Sequence, residues 1–185
     1  MKYFSTIIVA VIFSCLELLA QGPMMNVFLG SRNKVVNVYC DAVGHSVLGQ
    51  VMEVAGSDDF NTIVIKDKSS LRFYVDIFVS SYTSSPVDIT GWIDKSECAV
   101  YARPRNEHWN IYADPFDDYP LMIFDATDIE KAVPYLYVID YISESLESSE
   151  QGYYIPWVKV GFIYSNKYYE GWTKDFCTDI NYSCN

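Results

Sequence analysis

Trp157-Val158-Lys159-Val160-Gly161-Phe162, followed after a polar stretch by Gly171-Trp172, decides the reading of this chain because its pattern occurs twice. Tyr74-Val75-Asp76-Ile77-Phe78-Val79 carries the same alternation, and Gly91-Trp92 closes that copy as Gly171-Trp172 closes the other. Apolar residues at a period of two place one row of side chains on one face of a pleated strand. A further anchor precedes both: Asn37-Val38-Tyr39-Cys40-Asp41-Ala42 aligns with Asn110-Ile111-Tyr112-Ala113-Asp114-Pro115. Three anchors in one order describe an internal repeat. The offset grows from 73 residues (Asn37 to Asn110) to 80 (Gly91 to Gly171), so the second copy carries an insertion, assigned to the polar run at 143–152.

Working outward, each copy reads as short strands between turn residues. The first copy predicts Val35 to Tyr39, Gly49 to Val54, Thr62 to Ile65, Leu71 to Val79 and Gly91 to Ile93. The second predicts Trp109 to Tyr112, Leu121 to Phe124, Tyr135 to Ile142, Ile155 to Ile163 and Gly171 to Thr173, with one short helical turn at Ala126 to Ala132. The copies divide near Arg103-Pro104-Arg105-Asn106, giving residues 21–103 and 104–185. Composition agrees with an all-β chain, since 16 Tyr, 10 Phe and 4 Trp suit half-buried pleated surfaces.

Residues 1–20 read as an export signal: Lys2, then an apolar stretch from Thr6 to Phe13, then Leu18-Leu19-Ala20, with cleavage expected before Gln21. Ser14, Cys15 and Glu17 interrupt that stretch, which argues against a retained membrane span. Lipid attachment at Cys15 is the less favoured alternative, because apolar Leu16, Leu18 and Leu19 follow it where a polar tether is usual. The expected location is therefore the periplasm or the extracellular space. Cys40, Cys98, Cys177 and Cys184 then remain, an even set that in an exported chain points to disulfides with three possible connectivities.

The net charge is −11, from 13 Lys plus Arg against 24 Asp plus Glu, which repels nucleic-acid phosphates and anionic membrane surfaces. That charge is unevenly placed. Residues 21–103 carry nine acids and seven bases, whereas 104–185 carry fourteen acids and five bases, a net of −9.

A Val-rich opening strand, the Trp157-Val158-Lys159-Val160 strand, a turn and Gly171-Trp172 together resemble the bacterial SH3-like domain, and the chain is similar to two of them in tandem. The first copy departs from the pattern with Tyr74-Val75-Asp76-Ile77 in place of the Trp strand. The resemblance implies two small SH3-like β-barrels and makes Trp92, Trp157 and Trp172 structural aromatics of the barrel or its rim. It also implies that each cysteine after a Gly-Trp strand lies near its copy's first strand. On that basis Cys40 is paired with Cys98, and Cys177 with Cys184. The ligand class it implies is cell-wall peptide or glycan, held between loops or between the copies.

Chemistry-bearing motifs are sparse. His45 falls in a turn and His108 beside the copy boundary; no Gly-x-Ser-x-Gly nucleophile pattern occurs, and the cysteines are assigned to bridges, so a non-catalytic chain without cofactor or metal is expected. Asp114, Asp117 and Asp118 cluster in one loop, but their spacing does not match an Asp-x-Asp-x-Asp-Gly calcium loop, and a solvated acidic loop is the favoured reading. Tyr119, Tyr153, Tyr154, Tyr168 and Tyr169 are candidate contacts for a sugar or peptide, because aromatic rings offer large contact area at little ordering cost. Two further readings compete with wall binding. One is an inhibitor or immunity-type protein whose acidic copy covers a basic enzyme or toxin; the other is an enzyme built on the three aspartates.

Overall fold

The computed structural model describes residues 25–31, 33–53, 60–80, 88–102, 106–133, 135–142 and 157–174. The export signal with Cys15, the copy boundary at 103–105, the insertion, Tyr153, Tyr154, Cys177 and Cys184 lie outside the described residues.

Among the described residues the chain is all-β apart from two short helical pieces. Its strands are β1 (Met25–Leu29), β2 (Val36–Tyr39), β3 (Val47–Val51), β4 (Phe60–Lys68), β5 (Arg72–Ser80), β6 (Asp88–Asp94), β7 (Cys98–Tyr101), β8 (His108–Ile111), β9 (Met122–Asp125), β10 (Tyr135–Ile142), β11 (Trp157–Tyr164) and β12 (Lys167–Thr173). A 3₁₀ turn, Lys95–Glu97, joins β6 to β7. The helix α1 (Ala126–Ala132) follows β9, and Asp125 caps it by accepting from the backbone N–H of Thr127 and Asp128.

All ten strands expected from the repeat occur, with ends shifted by a few residues. Two were not expected, β1 and β7, and they organise the fold. Ten strands form one hydrogen-bonded series in the order β12-β11-β10-β7-β1-β4-β5-β6-β2-β3. Met25 to Val27 of β1 pair with β4, while Phe28 and Leu29 pair with β7. On its other side β7 pairs with β10. The expected pair of closed barrels is thus corrected to sheets that are not closed, because β7 bonds across to the second half and joins the two halves edge to edge.

The repeat itself is visible in the pairing. In the first half the β2-β3 hairpin meets β6 through Tyr39 and Trp92; in the second the β8-β9 hairpin meets β12 through Tyr112 and Trp172. Glycine is required beside both meetings. A Cβ on Gly91 would stand 2.9 Å from the carbonyl oxygen of Tyr39, and one on Gly171 2.8 Å from that of Tyr112. Val38 and Ile111, themselves equivalent in the alignment, crowd the same two points. Because the obstructing oxygens are backbone, relief requires moving the hairpin off the sheet. Gly91→Ala and Gly171→Ala are each expected to cost about 1–3 kcal/mol, read as a lower urea midpoint at unchanged slope. Tolerance of one with loss in the other would break the equivalence of the two sites.

One buried core runs through both halves, from Met25, Ile63, Phe73 and Ile93 to Trp109, Leu136, Val160 and Phe162. The tryptophan that fills it is Trp109, fully buried, with its indole N–H donating to Thr173 Oγ1 at 2.9 Å. Trp92, Trp157 and Trp172 are half-buried. Trp92 packs on Tyr74, and Trp157 meets Tyr112 edge-on.

The expected Cys40–Cys98 bridge is also corrected: both cysteines are free. Cys40 is exposed in the turn after β2, and Cys98 is buried opposite Leu29 of β1. The expected bridge takes β2 as the first strand of its half. Cys98 does lie beside the first strand, but that strand is β1, and β2 is separated from β7 by β1, β4, β5 and β6 in the strand order. Burial pushes the Cys98 thiol far above its ordinary range, aided by neighbouring Glu97, which keeps it protonated and unreactive.

Candidate functional site

A groove of about 1500 Å³ lies between the two halves. One wall comes from the first half: the β4-β5 turn, with Ser70 and Leu71, and the end of β6 with the 3₁₀ turn, from Asp94 to Glu97. The other comes from Val133 and the strands β10, β11 and β12, including Tyr137, Gly161, Ile163 and Tyr168.

Local sequence explains both walls. The β4-β5 turn is pinned by a reciprocal pair in which Ser69 Oγ accepts from the Arg72 N–H at 2.9 Å and donates to the Arg72 carbonyl at 3.1 Å. The 3₁₀ turn is tied to it where the Lys95 N–H donates to the Leu71 carbonyl at 3.1 Å. Opposite, Ser165 and Asn166 both take positive φ, 50° and 61°, closing β11 and β12 as a two-residue hairpin of the type whose twist suits paired strands. That hairpin sets Ile163 opposite Tyr168 and Gly161 opposite Glu170. Gly161 leaves room for the Tyr168 ring: a Cβ there would run into the Tyr168 hydroxyl.

Charge in the groove is largely paired within the protein. Glu97 is held by Lys34, Asp140 by Lys68 at 2.7 Å, and Asp94 by Arg72 at 2.8 Å. Lys68 also donates to the Tyr141 carbonyl at 2.6 Å, so this one ammonium bridges the two halves at one end of the groove. Lys159 pairs with Glu170 at 2.5 Å, and Glu170 accepts from the Tyr168 hydroxyl at 3.1 Å. The Lys159 ammonium beside Glu170 holds that carboxyl below its ordinary range; partial burial and the Glu170 contact push the Tyr168 hydroxyl up. This network orients Tyr168, which remains 57% exposed.

The candidate residues taken from the sequence do not gather in one place. Of those described, Tyr168 lines the groove. Tyr169 instead stacks on Phe162 at 5.6 Å and meets Phe124 edge-on at 5.2 Å, packed against the core. Tyr119, 83% exposed, shares the β8-β9 loop with Asp114, Asp117 and Asp118. Two of those aspartates serve the loop itself: Asp114 Oδ1 accepts from the Phe116 N–H and Asp117 Oδ2 from the Asp114 N–H. Among the described residues no group of three His, Cys, Asp or Glu side chains is placed to hold a metal ion. His45 and His108 are exposed.

Sequence reasoning missed the lysines of the groove, Lys34, Lys68, Lys95 and Lys159. They are scattered through a chain whose net charge is −11, and only the pairing of the halves collects them. It also missed Phe116, Leu121 and Ile123, apolar residues exposed around the acidic loop. No helix among the described residues is long and apolar enough to cross a membrane. Compared with family models, curated proteins and solved structures, the chain significantly matches none of them.

Proposed function

We propose that this chain is an exported, non-catalytic binding module of the cell envelope, built from two SH3-like units, that takes cell-wall peptide or glycan in the groove between its halves. The observation that carries the reading is the groove itself. It is wide enough for a short oligomer, since ligand pockets commonly enclose about 300–1,000 Å³, and it combines exposed apolar side chains with oriented polar ones. Leu71 and Ile163 offer apolar surface, Tyr137 and Tyr168 offer ring faces, and both halves contribute. The SH3-like resemblance supplies the ligand class by analogy of fold, which alone does not fix function. Purified peptidoglycan is expected to retain the chain in a pull-down above a control protein of similar charge, and Tyr168→Ala is expected to weaken that retention. Retention no greater than the control overturns the reading.

A second reading has its own observation. The β8-β9 loop exposes Phe116, Tyr119 and Leu121 beside Asp114, Asp117 and Asp118, away from the groove and in the acidic half of the chain. Aromatic anchors rimmed by one sign of charge suit a basic protein partner. Salt separates the two readings: association with a basic enzyme slows steeply as salt rises, and binding of a neutral glycan does not.

A further inference from the structure

We propose that Lys95 is the docking cation for a free peptide carboxylate in the groove, an assignment that rests on the groove reading above and narrows its ligand to a peptide ending in a carboxylate. The charge pairing leads there. Asp94, Glu97 and Asp140 each have a cation of the protein's own, and Lys159 has Glu170. Among the described residues Lys95 has no carboxylate within ion-pair distance; its ammonium instead lies over the Phe73 ring, 4.9 Å from the centroid.

Among the described residues each groove acid therefore meets one cation, with the buried Oε2 of Glu97 left without a hydrogen-bond partner, and Lys95 meets no acid. That cation is half-buried on the 3₁₀ turn, with the backbone of the turn held by Leu71. Its surroundings favour an incoming anion: burial and neighbouring Lys68 depress the Lys95 ammonium, outweighing the pull of Asp140. An arriving carboxylate would offset both effects with its opposite charge and make a charge-assisted hydrogen bond. Ser70 and Ser96 present exposed hydroxyls along the same wall as further donors.

A peptide fits better than a neutral sugar. A neutral sugar would leave the Lys95 ammonium without an anion, whereas a terminal carboxylate supplies one. Leu71 and Ile163, 63% and 67% exposed, supply apolar surface for a small side chain next to the carboxylate.

The test uses the full chain, calorimetric titration, and a soluble wall stem peptide prepared in free-acid and C-terminally amidated forms. The free acid is expected to bind the unmodified protein about tenfold or more tightly than the amide. Lys95→Gln is expected to abolish that preference, and Lys95→Arg to keep most of it, with both variants melting within a few degrees of the parent. Equal binding of acid and amide by the parent, or a preference that survives Lys95→Gln, overturns the role of Lys95 and leaves the groove reading standing. Failure of the parent to bind either form, together with failure to be retained by whole peptidoglycan, overturns both. Retention on peptidoglycan without binding of either stem form moves the ligand to the glycan and overturns the carboxylate assignment alone.

Discussion

Replacing Trp109 by alanine is expected to lower the unfolding free energy by about 3–5 kcal/mol, the range found when a large aromatic is cut out of a core. Trp109 is fully buried, and its ring packs on Phe162 at 5.1 Å and Phe124 at 6.2 Å. The cluster continues through Phe124 to Tyr164 and Tyr169, so the cavity would open in the middle of an aromatic network. Its indole N–H is the second part of the cost, since the Thr173 hydroxyl that receives it is itself buried on β12. Thr173→Val alone should leave that N–H without a partner and cost about 1–3 kcal/mol. Trp109→Phe combined with Thr173→Val removes both polar groups together. The double variant should then be less destabilised than the sum of the two single changes. Urea unfolding with a common slope measures the parent, Trp109→Ala, Trp109→Phe, Thr173→Val and the double variant. Strict additivity would show that the hydrogen bond contributes nothing, and a loss below about 1 kcal/mol for Trp109→Ala would show that the site collapses around the missing ring.

Trp109 also marks where the sequence could and could not be read. Period-two alternation located Tyr135 to Ile142 and the strand at Trp157 because half of each faces the core, and no other local structure produces that pattern. The repeat was legible for a different reason. Gly91 and Gly171 lie against a hairpin carbonyl, a steric demand so strict that both copies keep the glycine and the tryptophan beside it. Which tryptophan is buried does not follow from the motif, because Trp92 and Trp172 follow a glycine that faces the hairpin, and alternation therefore turns both of them to the other face.

The strands β1 and β7 escaped for a physical reason as well. Met25-Asn26-Val27-Phe28-Leu29 sits directly after an apolar leader-like segment, and Val27, Phe28 and Leu29 are buried consecutively, without alternation. A strand covered on both sides carries no period-two signature and is told from a neighbouring apolar segment only by its partners. Missing β1 moves the first strand of that half to β2, and the expected Cys40–Cys98 bridge follows from that shift. The groove was illegible on similar grounds: its lysines come from four separate stretches, and nothing local distinguishes them from the other lysines on strands and turns.

Arg72→Met is expected to cost about 3 kcal/mol, the second largest loss, because this one buried guanidinium fastens three parts of the first half together. Its Nε donates to Asp94 Oδ1 at 2.8 Å, and its Nη1 donates to the carbonyls of Asp41 at 3.0 Å and Gly44 at 2.7 Å. The plane also lies 3.5 Å from the centre of the Tyr39 ring, a stack worth about 0.5–2 kcal/mol depending on solvent access. Methionine keeps most of the volume, so the loss reports the polar contacts and the stack rather than a cavity. The total stays near 3 kcal/mol because Asp94 is 42% exposed and the carbonyls sit in an exposed turn; water can replace part of what is removed. Arg72→Lys keeps the charge without the planar fork and should recover less than half of the loss. Amide exchange in the turn from Asp41 to Gly44 is expected to accelerate in both variants, whereas that of β11 and β12 should not change beyond the global loss of stability. If Arg72→Met stayed within about 0.5 kcal/mol of the parent, the turn would have to be held by the Cys40 N–H donating to the Ser46 carbonyl and by Asp41, whose carboxylate accepts from the Gly44 and Val43 N–H groups and is kept below its ordinary range by them. Asp41→Ala would then be the damaging change, and the order of the two variants decides which residue secures the turn from Asp41 to Gly44.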